Sequence, residues 1–371
     1  MTMTSSPTEE LSAVGVSIWL DDLSKDRLTT GSLKGLIESH DVVGVTSNPT
    51  IFAGAVAGSS SYSSDIAAMA THGSSAEEAV FSIMVSDVQG ACDVMAPVFE
   101  KSGGHDGRVS LEVSPLLAHD TEGTIAQAKE LWKRVDRANL MIKIPATRAG
   151  LPAITEVLSH GISVNVTLIF SLERYNEVID AYLAGMGKAR DKGLDIGAIF
   201  SVASFFVSRV DTAVDALLDT IGSQQARAIR SQAAIANARL AFELFEKRFE
   251  EPRARELRSA GMNLQRPLWA STGVKDPSLP EAYYVTELAV DNTVNTMPEK
   301  TLMALARDGG VSGDRVRGHY DAARSTFSQL ADMGISLSDV TEQLEKEGVD
   351  KFVQSWRELL DTVARAMGSA S

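Results

Sequence analysis

The run Leu140-Met141-Ile142-Lys143-Ile144-Pro145-Ala146-Thr147 sets one lysine inside an apolar, strand-like segment. Removing an ammonium from water is costly unless it is paired or neutral. Burial favours the neutral amine, and a neutral amine attacks carbonyl carbon and forms a Schiff base. Taken alone, Lys143 fits an edge strand or a snorkelling side chain just as well. Other strand-like runs repeat the arrangement, each placing a chemically useful group in a Val/Ile/Leu-rich stretch: Asp21, Thr46 with Asn48, Glu112, and Asn165 with Thr167. Two carboxylates near an amine can move protons, and the hydroxyl and amide groups can hold a hydroxylated ligand. Arg209 follows Ser204 and Ser208 just past a further strand-like run. Its planar fork suits a phosphate, which it can bind through two oxygens. Lys275 supplies a second cation after the turn Ser271-Thr272-Gly273, although by itself it reads as a surface residue.

These groups need elements to position them. Short Val/Ile-rich segments alternate with longer helical stretches, the pattern of a parallel α/β fold. Strands are expected at Val16–Asp21, Val42–Asn48, Val109–Ser114, Leu140–Pro145, Ser163–Phe170, Ile199–Val207, Pro267–Thr272 and Asp291–Met297. Eight strands is the number that closes a TIM-type (β/α)8 barrel, although an open sheet could hold eight as well. Helices are expected at Glu77–Lys101, Thr121–Asp136 and Ser171–Lys192, and two more between Asp211 and Phe249. Ser-rich Gly58–Ser64 reads as a surface loop, and the chain from Arg315 onward reads as additional helices packed outside the barrel. The expected division is a flexible stretch over 1–14 and a single barrel domain over 15–371.

Alternation tests the barrel, because successive strand residues face the helices and the interior in turn. Ile18 and Leu20 face outward, leaving Ser17, Trp19 and Asp21 inside. Val43 and Val45 leave Gly44, Thr46 and Asn48 inside, and Val109, Leu111 and Val113 leave Ser110, Glu112 and Ser114. Leu140, Ile142 and Ile144 leave Met141, Lys143 and Pro145, while Val164, Val166 and Leu168 leave Ser163, Asn165 and Thr167. Five strands thus aim polar groups at one interior, mostly late in the strand, where barrel enzymes build their sites. Each group has a plainer explanation: Asp21 could cap a helix, Glu112 could sit on a half-exposed strand, and Asn48-Pro49 could be only a turn. Coincidence across five strands is what those explanations fail to cover.

Bulk properties bound the function. The chain has 371 residues, 44% of them hydrophobic, and a formal charge of -14 from 35 Lys+Arg against 49 Asp+Glu. That balance disfavours nonspecific binding to nucleic acid or an anionic membrane, yet leaves room for a small anionic substrate held by a few placed cations. No apolar run of about 20 residues is expected to span a bilayer. Met1 to Glu10 lacks a basic-then-apolar leader, so a frayed, cytoplasmic N-terminus is expected. The only cysteine, Cys92, excludes an internal disulfide and lies in an apolar helical stretch, where it reads as a structural thiol. The six histidines are scattered without ligand spacing, and neither Gly-x-Gly-x-x-Gly nor a phosphate-loop motif occurs.

With these residues in place, the chain resembles the transaldolase family of class I Schiff-base enzymes, in its longer bacterial form. The resemblance rests on Trp19-Leu20-Asp21, Val45-Thr46-Ser47-Asn48-Pro49-Thr50-Ile51-Phe52, Ser110-Leu111-Glu112-Val113 and Ile142-Lys143-Ile144-Pro145-Ala146-Thr147. Asn165-Val166-Thr167-Leu168-Ile169-Phe170-Ser171, Ser204-Phe205-Phe206-Val207-Ser208-Arg209-Val210-Asp211 and Asn295-Thr296-Met297-Pro298 continue it in family order. It implies a (β/α)8 barrel that transfers a dihydroxyacetone unit from a ketose phosphate to an aldose phosphate, with no metal or organic cofactor. It also implies Lys143 as the Schiff-base lysine, Asp21 as the acid/base aspartate, and Glu112 with Thr167 as the proton-transfer pair. Thr46, Asn48 and Asn165 then bind the sugar, and Ser204 and Arg209 face the phosphate. Many members carry a second phosphate-binding arginine where this chain has Lys275, a point charge without the bidentate fork. The implied partners are sugar phosphates, with the protein a monomer or homodimer.

Three other functions fit parts of the pattern. A lyase of the same superfamily would use the same lysine and release free dihydroxyacetone. A retaining glycosidase could use Asp21 and Glu112 as its carboxylate pair but would leave Lys143 unexplained. A non-catalytic barrel would bind ligand without turnover.

Overall fold

Eight parallel strands close into a barrel in the order β1 to β8 in the computed structural model, which describes residues 5–370. The strands are β1 (Val16–Asp21), β2 (Val42–Thr46), β3 (Arg108–Glu112), β4 (Leu140–Pro145), β5 (Val164–Ile169), β6 (Ser201–Phe206), β7 (Arg266–Ala270) and β8 (Thr293–Met297). Each expected strand is present, and most end a residue or two sooner than the apolar run does. In β2 the ladder stops at Thr46 because Asn48 already caps the next helix, Oδ1 accepting the Ile51 N–H at 3.1 Å with Pro49 in the first turn.

Inward parity holds at Trp19 on β1 and Gly44 on β2. Trp19 and Gly44 are register partners on β1 and β2, and a Cβ on Gly44 would lie 2.6 Å from the indole ring. Both therefore face the interior, and the ring fills it below the mouth. Leu168 departs from the expected outward set. It has φ 60°, at a point where the β5–β6 register shifts, and its side chain meets the C-terminal helix instead. A branched residue in the left-handed region is a strained position, held here one residue past Thr167.

Several helical stretches differ from expectation. Ser6 and Glu9 form a capping box that starts a helix at Pro7–Val14, and Leu11 is fully buried, so the described part of the N-terminal stretch is ordered rather than frayed. The stretch from Asp211 to Phe249 holds three helices rather than two, starting slightly earlier: Ser208–Ile221, Gln224–Ala228 and Ala233–Phe249. The Ser-rich connection is a short 3-10 turn, Ser60–Tyr62, between two helices. Its Tyr62 is buried, with Oη donating to Asp87 Oδ2 and accepting the Lys25 N–H, both at 2.7 Å. Burial pushes the Asp87 carboxyl up to about 6, against the Tyr62 hydrogen bond. Asp87 belongs to helix Ala76–Lys101, which by length and composition alone is apolar enough to cross a membrane, contrary to the expectation of no such run. Most of that apolar stretch is buried against the rest of the fold.

The C-terminal helices are Tyr320–Asp332 and Leu337–Ala370. The longer one buries Leu344, Val349, Phe352, Trp356, Leu359 and Val363, a helical-period stripe. It runs along the helices that follow β2, with Thr50 and Ser355 hydroxyls 2.8 Å apart and Phe81 and Trp356 rings 5.1 Å apart. It also passes over the barrel mouth. Gly348 comes so near that a Cβ would sit 3.0 Å from Leu168 and 3.7 Å from the Arg209 guanidinium.

Candidate active site

The C-terminal ends of the strands enclose a cavity of about 190 Å³. Asp21, Thr46, Asn48, Lys143, Thr167, Ser204, Arg209 and Lys275 line it, together with Phe206, Ser271, Thr296, Pro298 and Phe352 among others. Eight of the ten residues singled out in the sequence therefore converge on one space. The other two, Glu112 and Asn165, are buried next to it.

Lys143 is 5% exposed. Its Nζ donates to the Ser47 carbonyl at 3.0 Å and lies 3.3 Å from Glu112 Oε2. Glu112 and Lys143 are register partners on β3 and β4, so strand pairing itself sets the two groups side by side. Burial pushes the Glu112 carboxyl up to about 7, with the Lys143 charge acting in the opposite direction. The Thr167 hydroxyl is buried and makes no hydrogen bond to a described residue, and Glu112 Oε2 is buried with Lys143 Nζ beside it. Groups in that state are ready to accept or give a proton to something entering the site.

Asp21 sits across the cavity. The Thr46 hydroxyl donates to its Oδ1 at 2.8 Å and in turn lies 2.6 Å from the Thr296 hydroxyl. A hydroxyl has one proton, so Thr46 giving its own to Asp21 makes Thr296 the donor to Thr46. Burial raises the Asp21 pKa, opposed by Lys143 and by the Thr46 hydrogen bond. The motif Asn295-Thr296 was legible, but Thr296 as the second member of this relay was not.

Asn165 is fully buried and does not line the cavity. Its amide donates to Ser110 at 3.0 Å and its carbonyl oxygen accepts from Ser204 at 2.7 Å, linking β3, β5 and β6. The Asn48 Oδ1 is used by the helix cap, and its NH2 makes no hydrogen bond to a described residue.

The far end of the cavity is cationic. Arg209, in the first turn of helix Ser208–Ile221, lies with its guanidinium over the Phe206 ring at 5.2 Å. It forms no ion pair with a described residue, and burial lowers its pKa against the pull of Glu347 and Asp21. Lys275, which by itself reads as a surface residue in the sequence, lines the cavity, on the loop after β7 with Ser271 and Gly273. A third cation, Lys351 on the C-terminal helix, has its pKa lowered by burial and then by Arg209 and Lys275. Lys351 and Phe352 were missed in the sequence, because a helix's apolar stripe does not say which surface it will cover. Phe352 is 4% exposed, and its ring centroid is 5.8 Å from Lys143 Nζ.

Fold and site together define a (β/α)8-barrel enzyme with a buried lysine–carboxylate pair at the C-terminal mouth. The family model for transaldolase/fructose-6-phosphate aldolase matches residues 18–363, nearly the whole chain. A transaldolase of Thermobifida fusca is 57% identical over 364 residues, covering 98% of this chain and 99% of that protein. Transaldolases of Frankia alni and Mycolicibacterium paratuberculosis are each 56% identical, over 364 and 362 residues, covering 98% and 97% of both chains. The chain belongs to the transaldolase/fructose-6-phosphate aldolase family. Its activity is that of a transaldolase, a transferase of the pentose phosphate pathway acting on sugar phosphates.

Proposed function

We propose that Lys143 is the residue that becomes covalently bound to substrate, forming a Schiff base with the ketose C2 carbonyl. The observation that carries this reading is the buried Lys143 amine facing the cavity with the Glu112 carboxylate 3.3 Å away. Attack requires the free amine, and Glu112 is placed to take its proton. A carboxyl with pKa about 7 can then return a proton to the departing carbinolamine hydroxyl, with Thr167 on the wall of the same cavity as Lys143 offering a hydroxyl to orient a water. Loss of water leaves an iminium, the electron sink that makes C3–C4 cleavage feasible.

Asp21 takes the C4 hydroxyl proton as that bond breaks and returns one to the incoming aldehyde. Its raised pKa suits a group that must both accept and give. Thr46 orients Asp21, while Asn48 holds hydroxyls of the three-carbon unit; Asn165 supports that end through Ser110 and Ser204. Arg209 and Lys275, with Ser204, bind the phosphate end, a role supported by two cations and a hydroxyl lining the same cavity. The donors are sedoheptulose 7-phosphate or fructose 6-phosphate, and the acceptors glyceraldehyde 3-phosphate or erythrose 4-phosphate.

Residues 15–371 act as one domain, with the C-terminal helices completing the site. The protein works in the cytoplasm as a monomer or homodimer, without a nucleic acid or membrane partner, consistent with its net charge of -14. The test is transfer activity of Lys143→Ala with fructose 6-phosphate and erythrose 4-phosphate. The variant is expected to lose turnover completely while remaining folded, and full activity in it would refute the assignment.

A further inference from the structure

Transfer depends on keeping a reactive fragment from water. After C3–C4 cleavage the three-carbon unit stays on Lys143 as an enamine, in the reading above on which this inference rests. If its C3 carbon takes a proton, the enamine becomes an iminium again. Water then adds at C2, the C–N bond breaks, dihydroxyacetone leaves and the Lys143 amine is restored. That sequence is an aldolase cycle, and it wastes the donor. A transferase must slow it without slowing entry of the acceptor.

Most of the cavity wall cannot do this, because Asp21, Thr46, Asn48, Thr167, Ser204, Arg209, Ser271 and Lys275 are polar. Its apolar lining is Phe206, which lies under Arg209, with Ala270, Pro298 and Phe352, and the ring set against Lys143 comes from outside the barrel. Phe352 is 4% exposed, lines the cavity, and holds its ring centroid 5.8 Å from Nζ. The rest of its helix fixes it there. Gly348, one turn earlier, lets the helix settle onto Leu168 and Phe170, where a Cβ would already be 3.0 Å and 3.5 Å away. Trp356, one turn later, is 1% exposed and packs on Phe81, and Ser355 meets Thr50. Leu168 adopts its left-handed backbone at that contact, one residue after Thr167.

We propose that Phe352 is the shield that holds the Lys143-bound fragment for transfer, by covering it with an apolar ring face that excludes water from the enamine carbon. The C-terminal helix thus sets the partition between transfer and release, while the barrel supplies the bond-breaking chemistry.

The experiment measures two rates on the full chain with fructose 6-phosphate: dihydroxyacetone released without acceptor, and transfer to erythrose 4-phosphate. Phe352→Ala is expected to raise the ratio of release to transfer about 10-fold or more, while borohydride still traps the three-carbon adduct on Lys143. Phe352→Val, which keeps more apolar volume than alanine, should move the ratio part of the way and covers the case in which the alanine variant does not fold. Phe352→Leu should restore most of the wild-type ratio. An unchanged ratio in a folded variant, or both rates falling together, would overturn the proposal and reduce Phe352 to a packing residue. Absence of any adduct in the wild-type protein would instead overturn the Schiff-base reading, and this inference with it.

Discussion

Glu112 and Lys143 are register partners on neighbouring strands, and their charged atoms lie 3.3 Å apart inside the barrel. Because the strand ladder fixes the pair, neither side chain needs to search for the other. With the Glu112 carboxyl pushed up to about 7, kcat/KM should fall as pH drops below about 7 and Glu112 takes a proton. Glu112→Gln should flatten that limb and lower kcat about 100-fold, the usual scale for one general acid–base group. A pH–rate profile of both proteins checks this; an unaltered acid limb in the variant would show that another group is responsible.

Asp21 and Lys143 act at different steps, so their variants should separate. Asp21→Ala should keep most of the borohydride-trapped adduct from fructose 6-phosphate and lose about 1,000-fold in transfer. Intact mass and turnover on one sample suffice. If a folded Asp21→Ala protein forms no adduct, Asp21 acts before cleavage.

Arg209 lines the cavity with no carboxylate ion pair to a described residue, which leaves its fork for a ligand. Charge-assisted hydrogen bonds are worth about 1.5–3 kcal/mol, or roughly 10- to 100-fold in affinity. Arg209→Ala should therefore cost about that factor in kcat/KM for fructose 6-phosphate and leave the weak reaction of fructose itself nearly unchanged. Equal losses on both sugars would place Arg209 outside the phosphate subsite.

Asp87 carries a stability prediction away from the chemistry. Its folded pKa of about 6 lies above the ordinary 3.8, so the folded state binds more protons between those values. Stability from this group is then present at low pH and lost as pH rises through about 6, on the order of 3 kcal/mol in all. Asp87→Asn does not titrate and can still accept from Tyr62. Its melting temperature relative to wild type should rise between pH 5 and pH 8. A difference that stays flat would mean that Asp87 ionises in the folded protein as easily as in the unfolded chain.

Much of this was legible in the sequence, for a physical reason. Parallel strands covered by helices on one side must alternate, so a polar residue at inward parity stands out against Val and Ile. That is how Asp21, Thr46, Glu112 and Lys143 were found, and why Gly44 and Trp19 fall on the same inner face. The Ser6/Glu9 capping box is a local sequence signal as well, Ser three residues before Glu. The contribution of the C-terminal helix was not legible. Its stripe at Leu344, Phe352, Trp356 and Leu359 announces a buried face, but only tertiary packing decides that the face crosses the mouth. The turn of Leu168 out of the outward set depends on that same packing and carries no local signal.

The most direct test of the central claim is intact mass and peptide mapping after borohydride reduction with fructose 6-phosphate, with and without erythrose 4-phosphate. The account predicts a reduced dihydroxyacetone adduct on the peptide containing Lys143, depleted when the acceptor is present and absent from Lys143→Ala. No adduct on folded wild-type protein, or an adduct that survives in Lys143→Ala, would contradict it.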